Sequence, residues 1–173
     1  MEKVEEERFE NGQLKVRITF NEDNTIRLIE KWDKNGLLEF RTNYKNGNKD
    51  GLSEEWHKNG QLMMRINYKD GYFDGTSEEW YENGQPRIRC TYIKGELDGV
   101  FEERYENGQL AERSNYKNGK LNGLSEEWYQ NGQQSFRANY KNNLLDGTCE
   151  SWIDTGKLVG RRNYKDGIPV ELN

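Results

Sequence analysis

Residues 51–71 read GLSEEWHKNGQLMMRINYKDG, and almost the same words return at 75–95 as GTSEEWYENGQPRIRCTYIKG and at 123–143 as GLSEEWYQNGQQSFRANYKNN. One glycine per copy anchors the comparison: Gly12, Gly36, Gly60, Gly84, Gly108, Gly132 and Gly156 follow one another at steps of 24 residues. Nothing is inserted or lost between copies. The chain is therefore a repeat array in strict register, of about seven units with degenerate terminal copies, spanning residues 1–173 as one architecture.

Composition taken alone points elsewhere. Hydrophobic residues make up 32% and charged residues 33% of the chain, the balance of a sequence that cannot bury enough apolar surface to offset its ordering entropy. The aromatics decide against disorder. They form 12% of the chain and fall at fixed repeat positions, which a disordered tract does not do. The expectation is a thin, elongated array without one large core.

Each copy holds two short segments of alternating character. In LMMRINY, Leu62, Met64, Ile66 and Tyr68 alternate with Met63, Arg65 and Asn67, the period of a strand. LSEEWH is shorter and equally β-like. No segment has the length or spacing of a helix. The pair Asn59-Gly60 suits the centre of a two-residue type I′ hairpin, in which both residues need positive φ, and YKDGYFDG supplies a longer glycine-bearing return. The predicted fold is all-β: an elongated single-layer antiparallel meander of hairpin repeats, with about fourteen strands, twisted or curled.

Charge predicts the register. A turn centred on Asn59 and Gly60 sets Glu54 opposite Arg65, and the same count sets Glu6 opposite Arg17, Glu30 opposite Arg41 and Glu78 opposite Arg89. It also sets Glu102 opposite Arg113, Glu126 opposite Arg137 and Glu150 opposite Arg161. Opposed charges across a ladder contribute about 0.2 to 1 kcal/mol each. A slip of one residue would send the partners to opposite faces. A feature copied in every repeat reads as scaffold, so Glu54, Arg65, Glu78, Arg89, Glu102, Arg113, Glu126 and Arg137 are assigned to a structural ladder.

Two aromatic columns flank this ladder. Trp32, Trp56, Trp80, Trp128 and Trp152 share its face, with Arg104 in the vacant tryptophan slot. The opposite face carries Phe20, Tyr44, Tyr68, Tyr92, Tyr116, Tyr140 and Tyr164, together with Leu14, Val16, Ile18, Phe40, Leu62, Met64, Ile66 and Ile88. Rings packed on one another and on arginine stems supply the only core that a single layer has. Rigid aromatics beside arginine are also the usual anchors of protein interfaces. The apolar tyrosine side is expected to turn inward, which leaves the five tryptophans and Arg104 as candidate partner-binding residues.

Catalysis finds no support in the inventory. His57, the single histidine, occupies a slot that Tyr81, Tyr105 and Tyr129 fill in other copies. No His, Cys and carboxylate residues share metal-ligand spacing, Ser53, Ser77 and Ser125 have no base beside them, and the glycines belong to turns rather than to a phosphate loop. No catalytic, metal or cofactor residue is assigned, and no cofactor is expected. Cys90 and Cys149 fall on strands five places apart, roughly 24 Å at 4.8 Å per strand, too far for a disulfide.

The partner class follows from sign of charge. A net charge of −5 and the recurring SEE argue against nucleic acid and disfavour anionic lipid, both of which call for a basic face. No run approaches a membrane span, and MEKVEEERF lacks the form of a signal peptide, so the expectation is a cytoplasmic monomer. The array starts almost at Met1, so an export signal removed ahead of it is compatible with this reading.

The stretch NYKNGKLNGLSEEWYQNGQ resembles the MORN-repeat variant found in bacteria. That motif runs from an aromatic through a Lys/Asn-Gly turn and an Asp/Asn-Gly step to an EWY strand and ENGQ. The likeness extends over essentially the whole chain, with departures at FNEDNTIR, at Asn143 and at YKDGIPV. The resemblance implies a twisted antiparallel sheet of hairpins, one per repeat. It also implies the company of YwqK-type antitoxins, which bind a toxin protein. The leading expectation is a non-catalytic module that binds a protein, a basic toxin among the candidates; the alternative is a structural or envelope-associated scaffold close to a membrane.

Overall fold

The computed structural model describes residues 3–23 and 25–171. The chain divides into two compact units, Met1–Gly84 and Gln85–Asn173. The first carries seven strands: β1 (Lys3–Arg8), β2 (Leu14–Phe20), β3 (Ile26–Trp32), β4 (Leu38–Lys45), β5 (Asn48–Trp56), β6 (Leu62–Lys69) and β7 (Tyr72–Trp80). The second carries nine: β8 (Pro86–Ile93), β9 (Glu96–Leu97), β10 (Gly99–Arg104), β11 (Leu110–Lys117), β12 (Lys120–Trp128), β13 (Gln134–Lys141), β14 (Leu144–Trp152), β15 (Leu158–Lys165) and β16 (Ile168–Val170). Within each unit, strands consecutive in sequence pair antiparallel in one layer, the short β9 lying off the main path beside β8. The described residues contain no helix. The all-β meander expected from the repeat is the observed architecture.

Two strands exceed the predicted fourteen. One predicted strand is broken into β9 and β10 at Asp98, where the backbone N–H bonds to the Thr91 carbonyl at 2.9 Å. Thr91 replaces the asparagine found in Asn43, Asn67, Asn115 and Asn139. In intact copies that asparagine bridges the strands: Asn43 donates to the Leu52 carbonyl at 2.7 Å and Asn115 to that of Leu124 at 2.8 Å. The other extra strand is the terminal β16.

The turns are the reverse of those expected. At residues 57–61 the Gly60 amide donates to the His57 carbonyl at 2.9 Å and the His57 amide to the Gln61 carbonyl at 2.8 Å. Only Gly60 has positive φ there, at 84°. This is a three-residue loop ending in a left-handed glycine, not a two-residue type I′ turn. Type I′ geometry occurs instead in the other connection, where Asp70 and Gly71 have φ of 50° and 89°. Even Asn142-Asn143 adopts it, at 51° and 69°, because asparagine tolerates the left-handed region better than most residues.

The predicted charge ladder survives this exchange because a bulge cancels the longer loop. The register shifts by one residue between Glu55 and Trp56, which restores Glu54 opposite Arg65. Glu6↔Arg17, Glu30↔Arg41, Glu102↔Arg113, Glu126↔Arg137 and Glu150↔Arg161 are paired in the same way. Glu78 lies opposite Arg65, and Arg89 opposite Glu102, on their other flanks. The bulge also corrects one assignment. Leu14 and Leu62 lie opposite Arg8 and Trp56, so they join the tryptophan face rather than the tyrosine face.

The core is a seam of mostly small residues on the tyrosine face. Thr42, Ser53, Ile66 and Ser77 in the first unit, and Cys90, Ser114, Ser125 and Ala138 in the second, are 0–5% exposed. Their hydroxyls bond to one another, Thr42 to Ser53 and Ser114 to Ser125, each at 2.8 Å, so burial leaves these polar groups satisfied. Neither Cys90 nor Cys149 is joined in a disulfide.

Candidate functional site

On the tryptophan face, each repeat of the first unit builds the same arrangement. The Arg17 guanidinium lies 5.6 Å from the Trp32 ring centre, and those of Arg41 and Arg65 lie 5.9 Å from Trp56 and Trp80. The same arginines hold the carboxylates, Arg41 reaching Glu30 at 3.1 Å and Glu54 at 3.8 Å, and Arg65 reaching Glu54 at 3.1 Å. Glu30 and Glu54 are consequently buried, whereas the arginine side chains stay 39–44% exposed. Tryptophan, arginine and glutamate thus form one interlocked strip whose charges are mutually satisfied.

The second unit repeats this strip with variations. Trp128 and Trp152 lie opposite Gln134 and Leu158. Arg113 binds Glu102 at 2.6 Å and Arg161 binds Glu150 at 2.8 Å, while Arg137 stands 3.6 Å from Glu126. Arg104, in the tryptophan slot, donates to the Gly108 carbonyl at 3.2 Å and approaches Glu102 at 3.8 Å. Arg8 does the same in the first unit with Gly12 and Glu6. Both arginines tie down the turn of their own hairpin. An open cleft of about 430 Å³ lies where Thr91 replaces the bridging asparagine, lined by Arg89, Cys90, Thr91, Val100, Glu102 and Arg113.

The turns are linked from one repeat to the next by groups that the repeat pattern displayed but whose role was not anticipated. Asn59 accepts from the Gln61 amide through Oδ1 at 2.9 Å and donates through Nδ2 to the Glu82 carbonyl at 2.6 Å. Asn11, Asn107 and Asn131 donate likewise to the carbonyls of Lys34, Gln130 and Asp154. Beside them, the Tyr105 and Tyr129 hydroxyls donate to the carbonyls of Trp128 and Trp152, at 2.7 and 2.9 Å. His57 Nε2 lies 2.8 Å from the Trp80 carbonyl oxygen, filling the same role. The histidine is a structural replacement for tyrosine.

The tyrosine face differs between the units in its charges. In the first unit the chain's own cations cover the rings, Lys49 Nζ lying 4.7 Å from the Tyr68 centre and the Arg27 guanidinium 5.9 Å from that of Tyr44. In the second, three carboxylates meet across adjacent strands: Glu103 lies opposite Glu112, and Glu112 opposite Glu127. Arg87 approaches Glu103 only to 4.0 Å, and the Ser114 hydroxyl donates to Glu112 at 2.6 Å. Partial burial, reinforced by the Glu112 charge, pushes the Glu127 carboxyl above its ordinary range. Elsewhere carboxylates are stabilised: Glu6 is held low by its hydrogen bond from Arg17, and Asp146 by that from Lys165.

Among the described residues, no group of three or more His, Cys, Asp or Glu side chains is placed to hold a metal ion, and no helix is long and apolar enough to cross a membrane. No curated protein matches the chain. The family described as MORN repeat variant matches at residues 1–22, 49–70, 73–94, 97–118, 121–142 and 145–166, six copies that each take in a glycine-turn hairpin of the array. The segment it passes over at residues 23–48 begins inside FNEDNTIR, where the usual glycines are lacking. On sequence pattern, turn geometry and strand pairing alike, the chain belongs to the MORN repeat variant family.

Proposed function

We propose that the chain is a non-catalytic protein-binding module, acting as a cytoplasmic antitoxin or immunity protein that neutralises a basic toxin. The observation that carries this reading is the strip in which Trp32, Trp56 and Trp80 are each stacked with an exposed arginine. Held rings beside guanidinium groups present large contact area at small entropic cost, the composition of interface hot spots. In the second unit Trp128, Trp152 and Arg104 form the corresponding candidate surface. The net charge of −5 favours a basic partner over nucleic acid or anionic lipid.

The test is affinity capture from the native host with the chain as bait. A basic protein should be recovered reproducibly. Trp56→Ala and Trp80→Ala, made singly, should weaken its binding by more than about 1 kcal/mol while the array stays folded. Tyr68→Ala and Tyr92→Ala should mainly lower stability. Recovery of lipid or nucleic acid with no protein overturns the reading.

A further inference from the structure

Glu112 breaks the repeat where every neighbour should forbid it. The equivalent positions, 24 residues apart, are Val16, Phe40, Met64, Ile88 and Phe136, all apolar, and then Gly160. Position 112 alone in this column holds a carboxylate, and the ladder sets it between two more, Glu103 and Glu127. Like charges directly opposed on a ladder destabilise it. Among the described residues Glu127 has neither a hydrogen bond nor an ion pair, and Arg87 approaches Glu103 at 4.0 Å.

A second difference on the same face is independent of the acidic row. In the first unit a lysine sits over the tyrosine ring, Lys49 against Tyr68. Lys49 precedes Tyr68 by 19 positions, and the residues 19 positions before Tyr116 and Tyr140 in the second unit are Leu97 and Leu121. No cation lies over either ring among the described residues, and Tyr116 meets only the edge of Phe101, at 6.2 Å between centres. The first unit thus shows how this surface accommodates cations, and the second has the acceptors without them.

We propose that the tyrosine face of the Gln85–Asn173 unit is a docking surface for an arginine- and lysine-rich protein segment. Its cations would pair with Glu103, Glu112 and Glu127 and lie against Tyr116 and Tyr140. Three adjacent carboxylates select the sign of the partner, and the rings favour planar guanidinium over a simple inorganic cation. The surface is separate from the tryptophan strip, and the inference rests on the protein-binding reading while adding the partner's chemistry.

The probe is a fluorescein-labelled nona-arginine peptide titrated against the full chain. It should bind, and binding should fall with added salt, as exposed charge pairs require. Glu112→Val restores the residue type of the other repeats, so that variant should melt higher than the parent and yet bind the peptide at least fivefold more weakly. Glu55→Val, on the matching row of the first unit between Phe40 and Met64, should bind within twofold of the parent. The proposal is overturned if the parent does not bind, if Glu112→Val binds undiminished, or if Glu55→Val loses as much. A captured protein partner that ignores Glu112→Val removes this surface alone, whereas capture of no protein removes the reading beneath it.

Discussion

His57 Nε2 and the Trp80 carbonyl oxygen, 2.8 Å apart, join two successive repeats through a bond that tyrosine hydroxyls make elsewhere in the array. A carbonyl only accepts, so the ring carries its proton on Nε2. His57→Tyr should therefore hold stability within about 0.5 kcal/mol, whereas His57→Phe, which keeps the ring and loses the donor, should cost about 1 kcal/mol. Urea denaturation of the two variants separates a structural bond from a dispensable one; equal stabilities would show that the contact contributes nothing.

The Glu54 and Arg65 pair tests the ladder. Both residues are tied by a 3.1 Å contact, and Glu54 is buried beneath two arginines. A double-mutant cycle to alanine should give a coupling of roughly 0.5–1 kcal/mol, diminished in high salt because the arginine stays partly exposed. Zero coupling would remove the ladder from the forces that fix register.

Two glycines on either side of β6 should respond differently to alanine. Gly60 has φ of 84°, and an added Cβ would find only Leu37 Cδ2 at 3.7 Å, so the cost is the left-handed backbone alone, about 1–2 kcal/mol. Gly75 has φ of 110°, and its added Cβ would come within 3.3 Å of Asn67 Cβ. Gly75→Ala should be the more destabilising in equilibrium unfolding. The opposite order would mean that the β6–β7 ladder at Gly75, whose register shifts between Ile66 and Tyr68, relaxes more easily than the turn.

Acid should narrow the gain from Glu112→Val. The folded state holds the Glu127 proton more tightly than the unfolded chain does, first through partial burial and then through Glu112 opposite. The penalty of ionising Glu127 in this row, where Glu103 with Arg87 near it lies beyond Glu112, is full above its raised folded pKa and is lost as pH falls through it. The depressed carboxyls of Glu6, Asp98 and Asp146 act the other way, losing their stabilisation as pH falls, but they are common to both proteins. The difference in melting temperature between variant and parent should be larger at pH 7 than at about pH 4. A difference that grows on acidification contradicts the repulsion.

Much of this was readable from the sequence because a strict repeat turns each residue into a column. The glycine step set the number of hairpins, and the Glu and Arg positions set their facing. The turn types were not readable: Asn59-Gly60 and Asp70-Gly71 are both acceptable type I′ centres, and only the bulge at Glu55 and Trp56 decides between them. The amide of Asn59 is present in copy after copy, yet its partner lies on a neighbouring turn, a tertiary contact that local propensity does not express. Glu112 was visible as a misfit to its column. Its isolation became meaningful only when the ladder placed Glu103 and Glu127 on either side.

The amide and hydroxyl bonds between turns all join a residue to one 23 positions later, as in Asn59 to Glu82 and Tyr105 to Trp128. Nearly identical copies make those bonds equally well with the wrong neighbour, so a nascent chain risks closing on a repeat displaced by a whole unit, the characteristic trap of arrays. Such an error satisfies glycines, asparagines and the charge ladder alike. What exposes it are the irregular residues. The break at Asp98, Asn143 in a glycine position and Glu112 among apolar columns occur once each, and they give otherwise interchangeable copies an address along the chain.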